Sequence, residues 1–207
     1  MAAKQILLVE GKDDEYVVKH LCGNLQGPHI EKIKDCEGID NLLEALPVRL
    51  KSAQEGQVGV VVDADANLAA RWQSIRNILV TNGYISVPVN PSPDGTVVEP
   101  TEDSLLPRFG VWIMPDNRTN GILEDFLRVL VPEGSPLFAH AEASIDGIPQ
   151  GERKFSDPKR PKALIHTWLA WQEEPGKPLG TSITAKYLDP NTPSAAVFVS
   201  WLNRLFS

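Results

Sequence analysis

The sequence predicts an α/β protein with an open, mainly parallel sheet flanked by helices and a helical C-terminal extension. Short apolar runs alternate with amphipathic helical patterns in the first part of the chain. This β-α-β-α-β-α repetition is typical of parallel strands joined by right-handed crossovers. The run 58–62, VGVVV, is apolar and rich in β-branched residues, as expected of a strand buried on both faces.

The first predicted elements follow from apolar runs, helical periodicity and breakers. ILLVE (6–10) is a short apolar strand ended by a glycine, and acids follow in the first helical turn, where the helix dipole favours them. Asn82-Gly83 ends the third helix. The predicted order is strand 6–10, helix 13–25, strand 30–36, helix 39–50, strand 58–62, helix 68–81 and an extended segment over 84–89.

The rest of the chain is less regular. FGVWIM (109–114) predicts another buried strand, and Ser135-Pro136 and Thr192-Pro193 are typical helix starts. The remaining predicted elements are helices over 121–131, 137–145 and 162–172, a polar loop over 147–161, and a closing helix from 193. We therefore expect an α/β domain over residues 1–131 and a helical extension over 132–207 packed on it.

Composition narrows the class of protein. The chain has 207 residues, 42% of them hydrophobic and 23% charged, and its net charge of −7 argues against non-specific nucleic-acid binding by the whole surface. A local basic groove remains compatible with that charge. No apolar run approaches the length of a membrane span, and the start lacks a signal-peptide pattern. Cys22 and Cys36 form no CxxC motif, which favours a reducing cytoplasm.

Two carboxylates follow the strand at 58–62. Asp63 and Asp65 are separated by one residue and, if the chain stays extended, point to the same side of it. The C-terminal edge of a parallel sheet is where such folds bind ligands, and paired hard oxygen donors suit Mg²⁺ or Mn²⁺. A strand-end turn with an aspartate as helix cap is the ordinary structural alternative.

Glu10 ends the first strand, and Asp116 follows the strand at 109–114. Strand C-termini of a parallel sheet face the same way. If the first and third strands are neighbours, Glu10 stands beside Asp63 and Asp65 and completes a three-carboxylate site.

The sequence resembles the Toprim domain of topoisomerases, bacterial primases and OLD-type nucleases. The resemblance rests on LLVEGKDD (7–14) and VVVDAD (60–65), and it covers residues 4–131. It implies that Glu10 acts as a general acid/base or metal ligand and that Asp63 and Asp65 bind Mg²⁺. Asn67 stands where some topoisomerases carry a third acid, so the chain looks more like small bacterial Toprim-like proteins and OLD-type nucleases.

The resemblance implies metal-dependent phosphoryl transfer on DNA or RNA, most simply by a nuclease. The alternative is a non-catalytic protein that binds nucleic acid, a nucleotide or a partner protein, and either form could be a homo-oligomer. Glu124 or Asp125 could bring a further acid, and Lys162 a catalytic cation. Lys154, Lys159 and Arg160 could bind phosphate, although an exposed helix face and a solvated loop are the ordinary explanations.

Asp-x-Asp after a buried strand also occurs in phosphatases of the haloacid dehalogenase class. In that class the motif follows the first strand, whereas here it follows the third, and Asn67 departs from the usual Thr or Val. A receiver domain would need an acidic pair on the first strand, where this chain offers Glu10 alone.

Overall fold

A computed structural model describes residues 4–53 and 55–207, so residues 1–3 and 54 of the predicted α/β domain lie outside it. The open, mostly parallel sheet predicted from the sequence is confirmed. Its strand order is β2-β1-β3-β5-β4, and β4 alone runs antiparallel to its neighbour. The strands are β1 (Gln5–Val9), β2 (Lys32–Asp35), β3 (Gln57–Asp63), β4 (Thr96–Val98) and β5 (Arg108–Met114).

Helices cover both faces of the sheet. The helices are α1 (Lys12–Leu25), α2 (Ile39–Ser52), α3 (Leu68–Thr81), α4 (Leu123–Arg128), α5 (Pro136–Asp146), α6 (Arg160–Leu169), α7 (Leu179–Thr184) and α8 (Pro193–Phe206). A 3₁₀ turn at Asp157–Lys159 leads into α6.

The central strands alternate between two hydrophobic clusters, as a pleated sheet requires. On one face, Val60, Val62 and Ile113 pack with the buried residues of α2 and α3. On the other face, Val61 and Trp112 share a cluster with α1, α4 and the C-terminal helices. The helical extension therefore shares its core with the sheet.

Glycines let α8 lie close to the sheet. A Cβ on Gly59 would stand 2.8 Å from Cδ2 of Leu205, and one on Gly110 would also collide with that leucine. The missing side chains on β3 and β5 thus leave room for Leu205 of α8 against the sheet.

Several predicted elements differ from the structure. The segment 84–89, which was predicted only as extended, does not join the sheet, and its carbonyls at Pro88 and Val89 accept hydrogen bonds from side chains of α3. β4 and α7 were not expected from the sequence, because β4 has only three residues and α7 follows a proline-rich stretch. α4 is also shorter than the predicted helix 121–131, and β2 is shorter than the predicted strand 30–36.

Among the helices described, none has both the length and the apolar character needed to cross a membrane.

Candidate functional site

Glu10 and Asp63 lie together at the carboxyl edge of the sheet, as the sequence predicts for neighbouring strands. β1 pairs with β3, and the backbone N–H of Asp63 donates a 2.7 Å hydrogen bond to Oε1 of Glu10. Oδ1 of Asp63 accepts a 2.9 Å bond from the backbone N–H of Leu123, the first residue of α4. These contacts tie the ends of two strands to the start of a helix.

Asp14 is a site residue that the sequence reasoning missed. It lies in the first turn of α1, is only 8% exposed, and its Oδ2 accepts a 3.1 Å bond from the N–H of Gly11. Its Oδ1 is buried without a hydrogen-bond partner among residues 4–53 and 55–207. Its helical spacing could have revealed it. Asp14 lies on the same face of α1 as Val17, Val18 and Leu21, which are buried.

Glu124 reaches the same place from α4. It is 4% exposed, and its Oε1 lies 3.3 Å from Nζ of Lys162, on α6. Asp125, the alternative in the sequence, instead accepts a 3.0 Å hydrogen bond from the N–H of Ile122 and caps α4. The structure thus brings Glu124 and Lys162 to the acidic edge and gives Asp125 a structural role.

Burial raises the pKa values of three carboxylates in this cluster, and neighbouring negative charges add to the rise. Burial, followed by the charges of Asp14, Glu10 and Glu124, raises the pKa of Asp63 to about 9. Burial, followed by the charge of Glu10, raises the pKa of Asp14 to about 7. Burial also raises the pKa of Glu10, despite the bond from Asp63. The cluster therefore holds protons at neutral pH unless a cation compensates it.

Lys162 supplies one positive charge to this cluster. Burial lowers the pKa of its amine, but the carboxylates of Glu124, Asp13 and Asp14 outweigh burial and raise it overall. Its side chain is 53% exposed, so the amine lies at the rim of the site, where solvent can reach it.

The extended conformation on which the pairing of Asp63 and Asp65 depended does not persist to Asp65, although the charge of Asp65 still contributes to the raised pKa values of Asp63 and Glu10. β3 ends at Asp63, and Asp65 has a left-handed φ of 52°. Its backbone pairs with Gly121 through hydrogen bonds of 2.9 and 3.0 Å. Its side chain is 57% exposed and lies 2.7 Å from Nη2 of Arg71.

The loop cations predicted to bind phosphate occupy different environments. Lys154 is 79% exposed and lies 3.6 Å from Glu152, and Arg160 forms a 2.7 Å ion pair with Asp146 of α5. Lys159 is exposed at the end of the 3₁₀ turn. Of the predicted basic residues, only Lys162 contacts the acidic cluster among the described residues.

Asp116 has a local structural role. Its Oδ1 accepts hydrogen bonds from the backbone N–H groups of Arg118 and Thr119 and from the Thr119 hydroxyl. The carboxylate therefore stabilises the turn after β5, and it does not join Glu10 and Asp63.

The donor chemistry of the cluster suits a hard divalent cation. Glu10, Asp14, Asp63 and Glu124 offer only carboxylate oxygens, which Mg²⁺ and Mn²⁺ prefer, and Oδ1 of Asp14 is buried without a partner. Within the described part of the chain, however, no three Asp, Glu, His or Cys side chains converge closely enough to hold a metal as they stand. Cation binding would therefore require side-chain rotation.

Fold and site together define an α/β protein with an acidic cluster, and one lysine, at the carboxyl edge of its sheet. The chain belongs to a family described as protein of unknown function (DUF3226), whose model matches residues 4–207. Comparisons with curated proteins and with solved structures give no match.

Proposed function

We propose that this protein is a Toprim-type, Mg²⁺- or Mn²⁺-dependent phosphodiester hydrolase acting on DNA or RNA. One observation carries the proposal: the buried Asp14 and Glu124 and the partly buried Glu10 and Asp63, from four separate segments, form an acidic cluster next to Lys162. Burying several carboxylates together is unfavourable unless protons or a cation neutralise them. Carboxylate clusters that lower the stability of the fold and have strongly raised pKa values are typical of functional sites.

Carboxylates of the cluster would hold the cation. When bound, a divalent ion polarises a phosphate oxygen and lowers the pKa of water. Glu10 sits at the edge of the cluster and has a raised pKa, which suits a base that takes the proton of the attacking water. The water oxygen then bonds to phosphorus as Glu10 takes the water proton; the bond from phosphorus to the leaving oxygen breaks, its electron pair stays on that oxygen, and solvent protonates it.

Lys162 would stabilise the negative charge that develops on the phosphate. Its amine is partly exposed and already held by Glu124 on one side. An amine held in this way can donate to a phosphate oxygen without a large rearrangement, which is how positioned cations lower such barriers.

The experiment is a cleavage assay with single- and double-stranded DNA and RNA in Mg²⁺, in Mn²⁺ and in chelator. Cleavage should need the metal, and Asp63→Asn should abolish it while circular dichroism stays unchanged. Asp189→Asn is the matched control, because Asp189 is also partly exposed and its carboxylate stabilises a turn outside the cluster. Metal-independent cleavage, or equal loss in both variants, would overturn the proposal.

The second candidate is a non-catalytic protein that binds nucleic acid, a nucleotide or a partner. The ion pair between Asp65 and Arg71 favours it, because it occupies one of the two aspartates that the Toprim resemblance assigns to the metal. Nucleic-acid binding that is unaffected by chelator and by Asp63→Asn, with no cleavage, would select this function.

We place the protein in the cytoplasm. Cys22 and Cys36 are free thiols, as a reducing compartment favours. Export of the protein with the two cysteines oxidised would contradict this assignment.

A further inference from the structure

A cavity of about 260 Å³ lies beside the carboxyl end of β5, on the face of the sheet that carries α8. It opens between the amino end of α8, the turn after β5 and the loop before β4. Its lining residues include Trp112, Pro115, Arg118, Pro193 and Val197. The volume lies just below the ~300–1,000 Å³ of sites for drug-sized ligands, so it suits a group of one ring system.

Rigid apolar groups form much of the wall. Pro93, Pro115 and Pro193 come from three separate segments, and Trp112 and Val197 complete the apolar part. Flat heteroaromatic rings stack on surfaces of this kind irrespective of their substituents, because every ring has a π face. The wall therefore favours a planar ring over a flexible chain.

The polar side chains of the lining are two donors, Trp112 and Arg118, the hydroxyl of Ser194, and the carboxylates of Asp94 and Asp116. Trp112 is 2% exposed, and its Nε1–H has no acceptor among residues 4–53 and 55–207. A buried donor without an acceptor is costly, and a ligand carbonyl or ring nitrogen would relieve that cost. Ser194 lies in the first turn of α8, a helix of fourteen residues whose amino end favours negative charge.

Arg118 gives the cavity a cation. It is exposed, and its guanidinium has no ion-pair partner within the described chain. The carboxylate of Asp116, also in the lining, is engaged by the turn after β5. A ring that carries a phosphate would therefore meet both the apolar wall and a free positive charge.

The cavity lies at the same edge of the sheet as the acidic cluster. Met114 of β5 is directly opposite Asp63 of β3, and Pro115, in the cavity wall, follows it. Adjacent strands are about 4.8 Å apart, so the cavity wall at Pro115 begins about one strand spacing from Asp63. Pro115 also lies against Gly121, whose backbone pairs with that of Asp65.

We propose that this cavity binds a nucleobase of the strand whose phosphodiester lies at the acidic cluster. The base would lie against the proline wall and accept a hydrogen bond from Nε1 of Trp112, and Arg118 would pair with the adjoining phosphate. This inference rests on the proposed function, because it identifies the ligand as part of a nucleic acid. It goes beyond that function by assigning a second site.

The test uses the ¹⁵N-labelled full chain in chelator, so that binding is measured without cleavage. The indole Nε1–H resonance of Trp112 is assigned by its loss in Trp112→Phe. Adenosine should shift this resonance, and ribose 5-phosphate should leave it unchanged. A short oligodeoxyadenylate should bind at least about tenfold more tightly than adenosine monophosphate, since further phosphates add contacts.

Two variants locate the site. Val197→Phe fills the cavity and should weaken adenosine binding by at least about fivefold, the lower limit for losing one stacked base. Arg118→Gln should leave adenosine binding unchanged and weaken oligonucleotide binding, whereas Arg153→Gln, which removes an exposed arginine elsewhere, should change neither. The other four indole resonances report whether each variant is folded.

Some results would overturn the inference. These are an unmoved Trp112 resonance with adenosine, an equal shift with ribose 5-phosphate, or full binding by a folded Val197→Phe variant. Mononucleotide binding as tight as oligonucleotide binding would assign the cavity to free nucleotides and overturn its link to a strand. If the protein binds adenosine but cleaves no nucleic acid, the proposed nuclease activity fails and the base-binding cavity stands. If it cleaves nucleic acid but binds no base in the cavity, the base-binding proposal fails and the nuclease activity stands.

Discussion

Nζ of Lys162 lies 3.3 Å from Oε1 of Glu124. Helix α6, in the C-terminal extension, therefore contributes a cation to an acidic cluster whose carboxylates come from the sheet edge, α1 and α4. Glu124 is almost fully buried, and half of the Lys162 side chain is exposed. The pair therefore has one end among the carboxylates and the other facing solvent, where a substrate would arrive.

Replacing Lys162 by glutamine should lower the rate of cleavage by about 100-fold, the usual effect of losing one positioned charge-stabilising donor. Lys159→Gln is the matched control, because Lys159 is a nearby exposed lysine outside the cluster. The measurement is kcat on the preferred nucleic acid at saturating metal. Equal losses in the two variants would show that Lys162 acts only through the overall charge of the surface.

Asp14→Asn should weaken Mn²⁺ binding by about 10- to 100-fold, as expected for a residue that binds the metal or orients its ligands. In metal-free protein at a pH above 7, the same change should raise the free energy of unfolding, because it removes a carboxylate whose pKa burial and Glu10 raise to about 7. Calorimetric titration and urea unfolding measure the two effects. Asp13→Asn should change neither Mn²⁺ affinity nor stability in this way. Equal effects of Asp13→Asn and Asp14→Asn would contradict the role of Asp14.

The metal-free protein should lose stability as the pH rises. The folded state raises the pKa values of Asp14 to about 7 and of Asp63 to about 9, both above the ordinary 3.8. Between pH 3.8 and these raised pKa values, the native protein therefore binds more protons than the unfolded chain does. Its stability consequently falls as the pH rises. The contribution is complete below pH 3.8 and is lost as the pH passes through about 7 and then about 9.

Thermal unfolding in chelator between pH 5 and pH 9.5 measures this dependence. The midpoint should drop by roughly 2–4 °C for each kcal/mol lost. Mg²⁺ should restore stability most strongly at high pH, and Asp63→Asn should flatten the curve. A midpoint that rises from pH 5 to pH 9.5 in Asp63→Asn and wild type alike would contradict the assigned pKa directions.

Arg71→Gln should raise Mn²⁺ affinity several-fold. Arg71 pairs with Asp65 and also donates a 2.8 Å hydrogen bond from Nε to the carbonyl of Asp63, so its charge opposes a cation beside the cluster. Arg71→Lys keeps the charge and should change the affinity little. If both variants weaken Mn²⁺ binding, the arginine organises the turn after β3 and does not compete with the metal.

The central strands of the fold could be predicted because their short apolar sequences suit only a strand in the interior of a sheet. The runs of β1 and β3 are apolar enough to be buried on both faces, and the strand order makes them neighbours. That adjacency alone places Glu10 beside Asp63. β4 could not be predicted, because three residues carry no periodic signal, and its antiparallel pairing depends on β5.

The side-chain positions were harder to predict than the strands. Asp65 follows Asp63 in the sequence pattern, but its backbone turns left-handed where it pairs with Gly121, a contact 56 positions along the chain. Glu124 and Asp125 are adjacent, and only the start of α4 at Leu123 decides which one caps the helix and which is buried. Sequence spacing could have found Asp14, whereas the cavity beside Trp112 depends on how α8 docks.

Mn²⁺ titration of the metal-free protein, followed by electron paramagnetic resonance, tests the central claim most directly. The account predicts saturable binding that Mg²⁺ competes away, that Asp63→Asn removes, and that Asp189→Asn preserves. Absence of saturable binding in the folded wild-type protein, or equal binding in Asp63→Asn, would contradict a metal site at the acidic cluster.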